Sequence, residues 1–464
     1  MTKRKILVIG LDCASPKLVF EEFKEDLPNL SKLIDKGLYG NLRSTMPPIT
    51  VPAWMVMFTG KNPGKLGIYG FRQRENNSYT DIQIVTPKNV LEQKVWDILG
   101  KSNRKSCLFA IPPNYPPQTV NGWSIGCFLT PSAKSNYTYP LDLKQELEEN
   151  LAPYMPDIDF RNGNRDEIQE QLFKMLDNHM SLIKYLITNK PWDFFAFVEI
   201  GVDRVHHAFW RYYDETHHMH EANSKYKQVI HDYYCRIDQY IGELLDLIDD
   251  ETYILVTSDH GVKPMRGAFC INEWLIKEKY LRIKEVPDHP VQLSKVEIDW
   301  NQTKVWAWGG YCSKVFLNVE GREKNGVIPV KNYEKELEKL RNKILNLKDI
   351  HGRKMENIVF RPEEYYDKPK GNYPDLMVIF DDLYWRAAGT IGHNTLYLLE
   401  NDTGSDDAMH DWNGMYILYD PNGEIPPAQI DANIEDIAPT ILYLLDEELP
   451  KNLDGKVIKH VKRK

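Results

Sequence analysis

The sequence predicts an α/β fold: a mostly parallel central sheet flanked by helices, with inserted cap segments. Three observations carry this. The apolar runs at residues 6–11, 194–202 and 253–256 are continuous instead of alternating, as in strands covered on both faces. Segments with helical spacing, among them residues 166–186 and 226–248, fall between such runs, which is βαβ traffic. Each run also ends at residues that carry chemistry: Asp12, then Asp203 and His207, then Asp259 and His260. In parallel sheets, functional groups gather just beyond the carboxyl ends of the strands.

Taken in order, the N-terminal stretch MTKRKILVIGLD holds only six apolar residues before Asp12. That is too short for a signal peptide's apolar region and reads as a first strand. Pro28–Lys36 follows as a short helix stopped by Gly37. Residues 91–99 have helical spacing closed by Gly100, and residues 107–111 form the next strand, cut by Pro112 and Pro113. The helix at residues 226–248 delivers the chain to the strand at 253. From Lys263 to Lys370 the alternation is less regular, with Trp306, Trp308, Gly309, Gly310 and Tyr311 ahead of a charged helix at 333–347. Residues 375–380 read as another core strand, and residues 434–445 as a final helix. With 464 residues the chain exceeds what one core usually supports, so it is one large domain with insertions, or two domains. The expected division is a catalytic core of residues 1–130, 191–262 and 371–464, a helical insertion at 131–190 and a cap at 263–370.

Composition narrows the function. A charged fraction of 27% beside 42% hydrophobic residues is that of a folded soluble chain. A net charge of −9 argues against a nucleic-acid polymer as partner. It also means that an anionic substrate needs a local source of positive charge, which metal ions can supply. No run approaches the roughly 18 apolar residues of a membrane span. The six cysteines lack C-x-x-C spacing, so free thiols in a reducing cytoplasm are expected.

Residues 47–67, PPITVPAWMVMFTGKNPGKLG, single out Thr50. Prolines on both sides fix φ and put Thr50 on a stiff turn just before helical backbone. A nucleophile or an anion-holding residue belongs there; the plainer reading is a helix cap. Carboxylates and neutral imidazoles are the ligand types that hold zinc. Asp203 and His207, four apart, share one helix face, and Asp259 and His260 can both aim inward from a turn after a strand. His410, in MHDWNGMYILYD, precedes its apolar run.

With these residues in view, the sequence resembles the alkaline phosphatase superfamily, on the branch of type I phosphodiesterases and nucleotide pyrophosphatases and near its prokaryotic phosphohydrolase/phosphomutase group. The resemblance lies in VIGLD, LPNLSKLIDKG, STMPPITVPAW, TGKNPGKLGIYGF, DRVHHAFW, SDHG, H-x-x-x-G at His410 and Gly414, and DIAPTIL. It spans essentially the whole chain and implies an alkaline-phosphatase-like sheet. It also implies two divalent metals, zinc first and manganese or magnesium as alternatives. One would be held by Asp12, Asp259, His260 and Thr50, the other by Asp203, His207 and His410. His393, in TIGHNTL, rivals His410. Thr50 would be the nucleophile of a phosphohydrolase acting on a small phosphorylated substrate through a phosphothreonine.

Two positions depart from the family pattern: Leu66 stands where nucleotide pyrophosphatases carry a histidine, and Phe71 where they carry an asparagine that holds the phosphoryl oxygen. Backbone N–H groups, the metals or Arg72 must supply that help. His206 has the wrong spacing for a ligand, and His217, His218 and His220 read as a solvated loop. Trp306, Trp308 and Tyr311 offer stacking on a base or sugar, against the commoner packing role. The other readings are a phosphomutase or phosphoryl transferase of the same superfamily, and a non-catalytic binding protein on this fold.

Overall fold

The computed structural model describes residues 4–461. Its central sheet contains, in chain order, β1 (Lys5–Leu11), β2 (Leu38–Arg43), β3 (Ser106–Phe109), β4 (Gly122–Ile125), β5 (Thr138–Tyr139), β6 (Phe194–Glu199), β7 (Thr252–Thr257), β8 (Asn413–Tyr419), β9 (Ala428–Gln429) and β10 (Ala432–Asn433). The order across it is β9–β2–β8–β7–β1–β6–β3–β4–β5, with β10 also pairing with β2. All run one way except β5 and β8.

The apolar run of β1 is continuous because both faces of the strand are covered. Leu7, Ile9 and Leu11 join the core made with helices α2 (Arg165–Asn189), α3 (Gly201–Tyr213) and α4 (Val229–Leu245). Ile6 and Val8, one residue out of phase, join the opposite core with α1 (Thr50–Thr59) and α5 (Ile437–Leu444), as alternation along a strand requires. The helix at Pro28–Lys36 forms with the predicted bounds. The helix read at residues 91–99 starts later, at Val95–Lys101.

A second layer is antiparallel. Val305–Trp308, Ser313–Leu317, Leu376–Ile379 and Ile358–Phe360 form a four-stranded sheet in that order, packed with the helices Ile271–Lys277 and Tyr333–Leu345. Residues 375–380, read from the sequence as a core strand, lie here and not in the central sheet. The DLMVIF run fits either location, because a strand buried on both faces looks the same in any sheet. The buried pair Arg74–Glu323 (2.7 Å) ties the hairpin after the Thr50 segment to this layer.

Candidate functional site

Three neighbouring parallel strands set the site. In β7–β1–β6, Gly10 lies level with Thr257 on one side and Val198 on the other. Their carboxyl ends therefore deliver Asp12, Asp259 and His260, and the start of α3 with Asp203, to one edge of the sheet. Gly10 is required by close packing: a Cβ there would stand 2.6 Å from both the Phe197 carbonyl and the ring of Trp54. That space lets the Trp54 indole N–H donate to Asp12 Oδ2 at 2.7 Å. Gly414 has a similar role, since a Cβ there would meet Ser258 Oγ at 2.5 Å.

Thr50 is the first residue of α1. The N-cap is Ile49, which makes no side-chain cap bond, so the capping role is not the one Thr50 plays. Its hydroxyl lies 3.4 Å from His260 Nε2. His260 Nε2 is in turn 3.2 Å from Asp259 Oδ2 and 3.7 Å from Asp12 Oδ1. On the other side, Asp203 Oδ1 is 3.1 Å from His207 Nε2 and 3.8 Å from His410 Nε2. The His260 and His410 rings stack at 3.7 Å and join the two halves. The seven residues expected from the sequence are thus brought together. Two sets have ligand atoms all within 4.8 Å of one another: Asp12, Asp259 and His260, and Asp203, His260 and His410.

The imidazoles share one orientation. Nδ1 of His260 donates to the Gly261 carbonyl (3.1 Å), Nδ1 of His410 to the Pro48 carbonyl (2.7 Å), and Nδ1 of His207 faces Asp406 Oδ1 (2.5 Å). Each Nε2 is left facing the cluster, the arrangement that anchored metal-binding histidines adopt. Among the described residues, Asp12 Oδ1, Asp259 Oδ2 and His410 Nε2 are buried with no hydrogen-bond partner, and Asp203 Oδ1 has only the His207 ring beside it. A buried polar atom without a partner costs roughly 1–3 kcal/mol, and several in one cluster of carboxylates and imidazoles fit divalent cations well.

The electrostatics agree. Burial, then the charge of Asp203, pushes the Asp12 carboxyl well up, and burial with Asp12 beside it does the same to Asp259. Burial also opposes charge on Asp203, but His207 and Arg204 outweigh it and hold that carboxyl well below the usual range. Burial lowers His207 less than Asp203 and Asp406 raise it, so its pKa stands well above the ordinary value. His260 is pushed down to about 4 by burial, and His410 falls well below 6.5 from burial and His260. Carboxylates this close cannot all ionise without a cation among them.

The type I phosphodiesterase / nucleotide pyrophosphatase family matches residues 6–412. This chain belongs to that family. Its place in the alkaline phosphatase superfamily follows. No curated protein matches the chain by sequence. Among solved structures, human ectonucleotide pyrophosphatase/phosphodiesterase 5 is similar with a TM-score of 0.57 at 13% identity, over 98% of this chain and 97% of that one. The murine protein is similar at 0.54 and 12%, over 97% and 98%, both as such and as an inactive threonine-to-alanine form in complex with AMP. At these identities the likeness speaks for the fold.

Of the groups around this cluster, Asp406 lay outside the sequence reading, and Tyr311 was read there only as a residue for stacking or packing. Asp406, four residues before His410, is fully buried, faces His207 Nδ1, and accepts from Arg161 (2.8 Å) and Arg386 (3.1 Å). Tyr311 stacks on His410 at 3.7 Å and places its hydroxyl 3.3 Å from His207 Nε2. Trp306, by contrast, is fully buried and stacks on Phe316, a packing role. Phe71 packs edge-on to Phe128, and Arg72 is exposed, its carbonyl accepting from Lys314 Nζ at 2.8 Å. His393 Nε2 is engaged by the Thr390 hydroxyl at 2.6 Å. His206 is buried against Tyr234. His217, read as part of a solvated loop, is buried and bonds the Asp407 carbonyl at 3.0 Å; a run of histidines does not reveal which ring turns inward.

Proposed function

We propose that this phosphodiesterase-family chain is a two-metal phosphohydrolase, acting on a phosphodiester or phosphomonoester, with Thr50 as nucleophile and a phosphothreonine intermediate. The observation that carries the reading is the gathering of buried carboxylate and imidazole ligand atoms around His260, whose Nε2 lies 3.4 Å from the Thr50 hydroxyl. Asp12, Asp259, His260 and Thr50 would hold one cation and Asp203, His207 and His410 the other, zinc being the best match to this donor set. Such cations depress the pKa of a hydroxyl and neutralise charge on phosphoryl oxygens.

The chain's own part is positional. The turn before α1 holds Thr50 for in-line attack. The first turn of that helix has N–H groups without intrahelical acceptors, and these suit a phosphoryl oxygen. Thr50 Oγ forms the bond to phosphorus as the ester oxygen leaves, and water then cleaves the phosphothreonine. AMP in the murine neighbour supports a small phosphorylated substrate, while Phe71 speaks against a nucleotide as that substrate. The unpaired cysteines favour a cytoplasmic setting. No helix among the described residues is long and apolar enough to cross a membrane.

Turnover of bis-p-nitrophenyl phosphate and p-nitrophenyl phosphate, abolished by chelator and restored by zinc, manganese or magnesium, tests the reading. Acid quenching during turnover should trap phosphate on Thr50 from the monoester and p-nitrophenyl phosphate from the diester, detected by mass spectrometry. Phosphate returned to a second hydroxyl of the substrate instead of released would identify a mutase. No turnover with any of the three metals would favour a binding protein.

A further inference from the structure

Among the described residues, the seven buried lysines and arginines are Lys61, Arg74, Lys94, Arg104, Arg204, Lys314 and Arg386. Six of them have a carboxylate within ion-pair distance. Lys314 is the exception. It lies on Ser313–Leu317, is 9% exposed, and donates to the Arg72 carbonyl. Burial, with a smaller contribution from the Arg72 cation, pushes its ammonium down to about 8 against the opposing effect of Cys312. A buried ammonium without a counter-ion is costly, so something other than stability keeps it there.

Its position points to the reason. Gly70 has φ +157°, and a Cβ built on it would stand 3.0 Å from Lys314 Nζ and 3.8 Å from Ile49 Cδ1. The ammonium thus occupies a notch left by a glycine, beside the residue that precedes Thr50. The loop that leads into this strand carries Tyr311 to His207 and His410. One short stretch of the second layer therefore borders the site from the imidazole side to the Thr50 side.

We propose that Lys314 forms a second anion subsite, which receives a carboxylate or a second phosphate of the substrate while its scissile phosphoryl group sits at Thr50. This rests on the phosphohydrolase reading and narrows it to compact substrates with two anionic groups. Arg72, exposed and also without an ion pair among the described residues, adds its charge at the rim. An anion there satisfies the charge that the fold leaves open.

The test is calorimetric titration of zinc-loaded protein with methylphosphonate, phosphonoacetate and methylenediphosphonate, which share one phosphonate and differ in the second group. Wild type should bind at least one of the two probes with a second anionic group tenfold or more tighter than methylphosphonate, and which one tells carboxylate from phosphate. Lys314→Met should lose that increment at unchanged metal content, and Lys314→Arg should keep part of it. The ligand-free Lys314→Met protein should melt no lower than wild type, since a buried unpaired charge has gone; a lysine kept for structure would lower it. Should Lys314→Met fail to fold, Lys314→Gln serves for the same comparison. An increment that survives removal of the ammonium, or no increment with either probe, overturns the subsite alone. Failure of methylphosphonate to bind, with no ester turnover, overturns the subsite and the hydrolase reading together.

Discussion

Asp406→Asn is the substitution whose effect the structure specifies most fully. The Asp406 carboxylate is fully buried, with Oδ1 2.5 Å from His207 Nδ1 and Oδ2 accepting from Arg161 and Arg386. Asparagine keeps the shape but loses the charge, and its amide can turn to donate to His207 and reverse the tautomer. Loss of a partner of this kind lowers metal affinity by roughly 10–100-fold, or about 1.4–2.7 kcal/mol. Arg386, itself buried, is left without its carboxylate, and breaking a buried pair costs about 3–5 kcal/mol. Asp407→Asn is the control, because that side chain turns to Arg211 (2.6 Å) and away from the histidine. Zinc affinity measured by competition with a chromogenic chelator, and thermal unfolding in excess EDTA, separate the two terms. Asp406→Asn should lose both affinity and stability, Asp407→Asn stability alone. Zinc binding within twofold of wild type for Asp406→Asn, or equal losses for the two variants, would refute the role given to Asp406.

The remaining expectations follow from the same contacts. His410→Ala should lose bound metal and activity, while His393→Ala, whose ring is held by Thr390, should keep wild-type metal content by elemental analysis. Glu323→Gln should cost about 3–5 kcal/mol in denaturant unfolding, since it leaves buried Arg74 unpaired. Burial pushes the Glu435 carboxyl up from 4.5 to about 7, so the folded chain holds a proton there that the unfolded chain has lost. Between pH 4.5 and 7 wild type should therefore lose stability relative to Glu435→Gln as pH rises, by at most about 3 kcal/mol, and melting curves across that range should diverge in that direction.

Apart from His410, which the resemblance singled out, the ligand candidates were legible because each sits where a local pattern ends. Asp12 closes an apolar run, Asp203 and His207 are one helical turn apart, and Asp259 and His260 follow a strand. Thr50 was marked by its flanking prolines. The order of β7, β1 and β6, which brings those ends together, was not legible in the sequence, because continuous apolar runs fit several sheet orders. The same ambiguity misplaced residues 375–380, which lie in the antiparallel layer.

By itself, then, the chain's sequence determined the kinds of element, the residues that could bind cations and the stiff turn under the threonine, since these depend on spacing along a few residues. Only the tertiary structure decided what anchors them. Trp54 reaches Asp12 across 42 positions, Asp406 reaches His207 across 199, and Tyr311 reaches His207 across 104. Lys314 stands without a carboxylate among the described residues because of what the fold places around it. Such pairings depend on how separate elements pack, and no short-range pattern encodes which distant side chain fills a neighbour's empty hydrogen bond or leaves a charge alone.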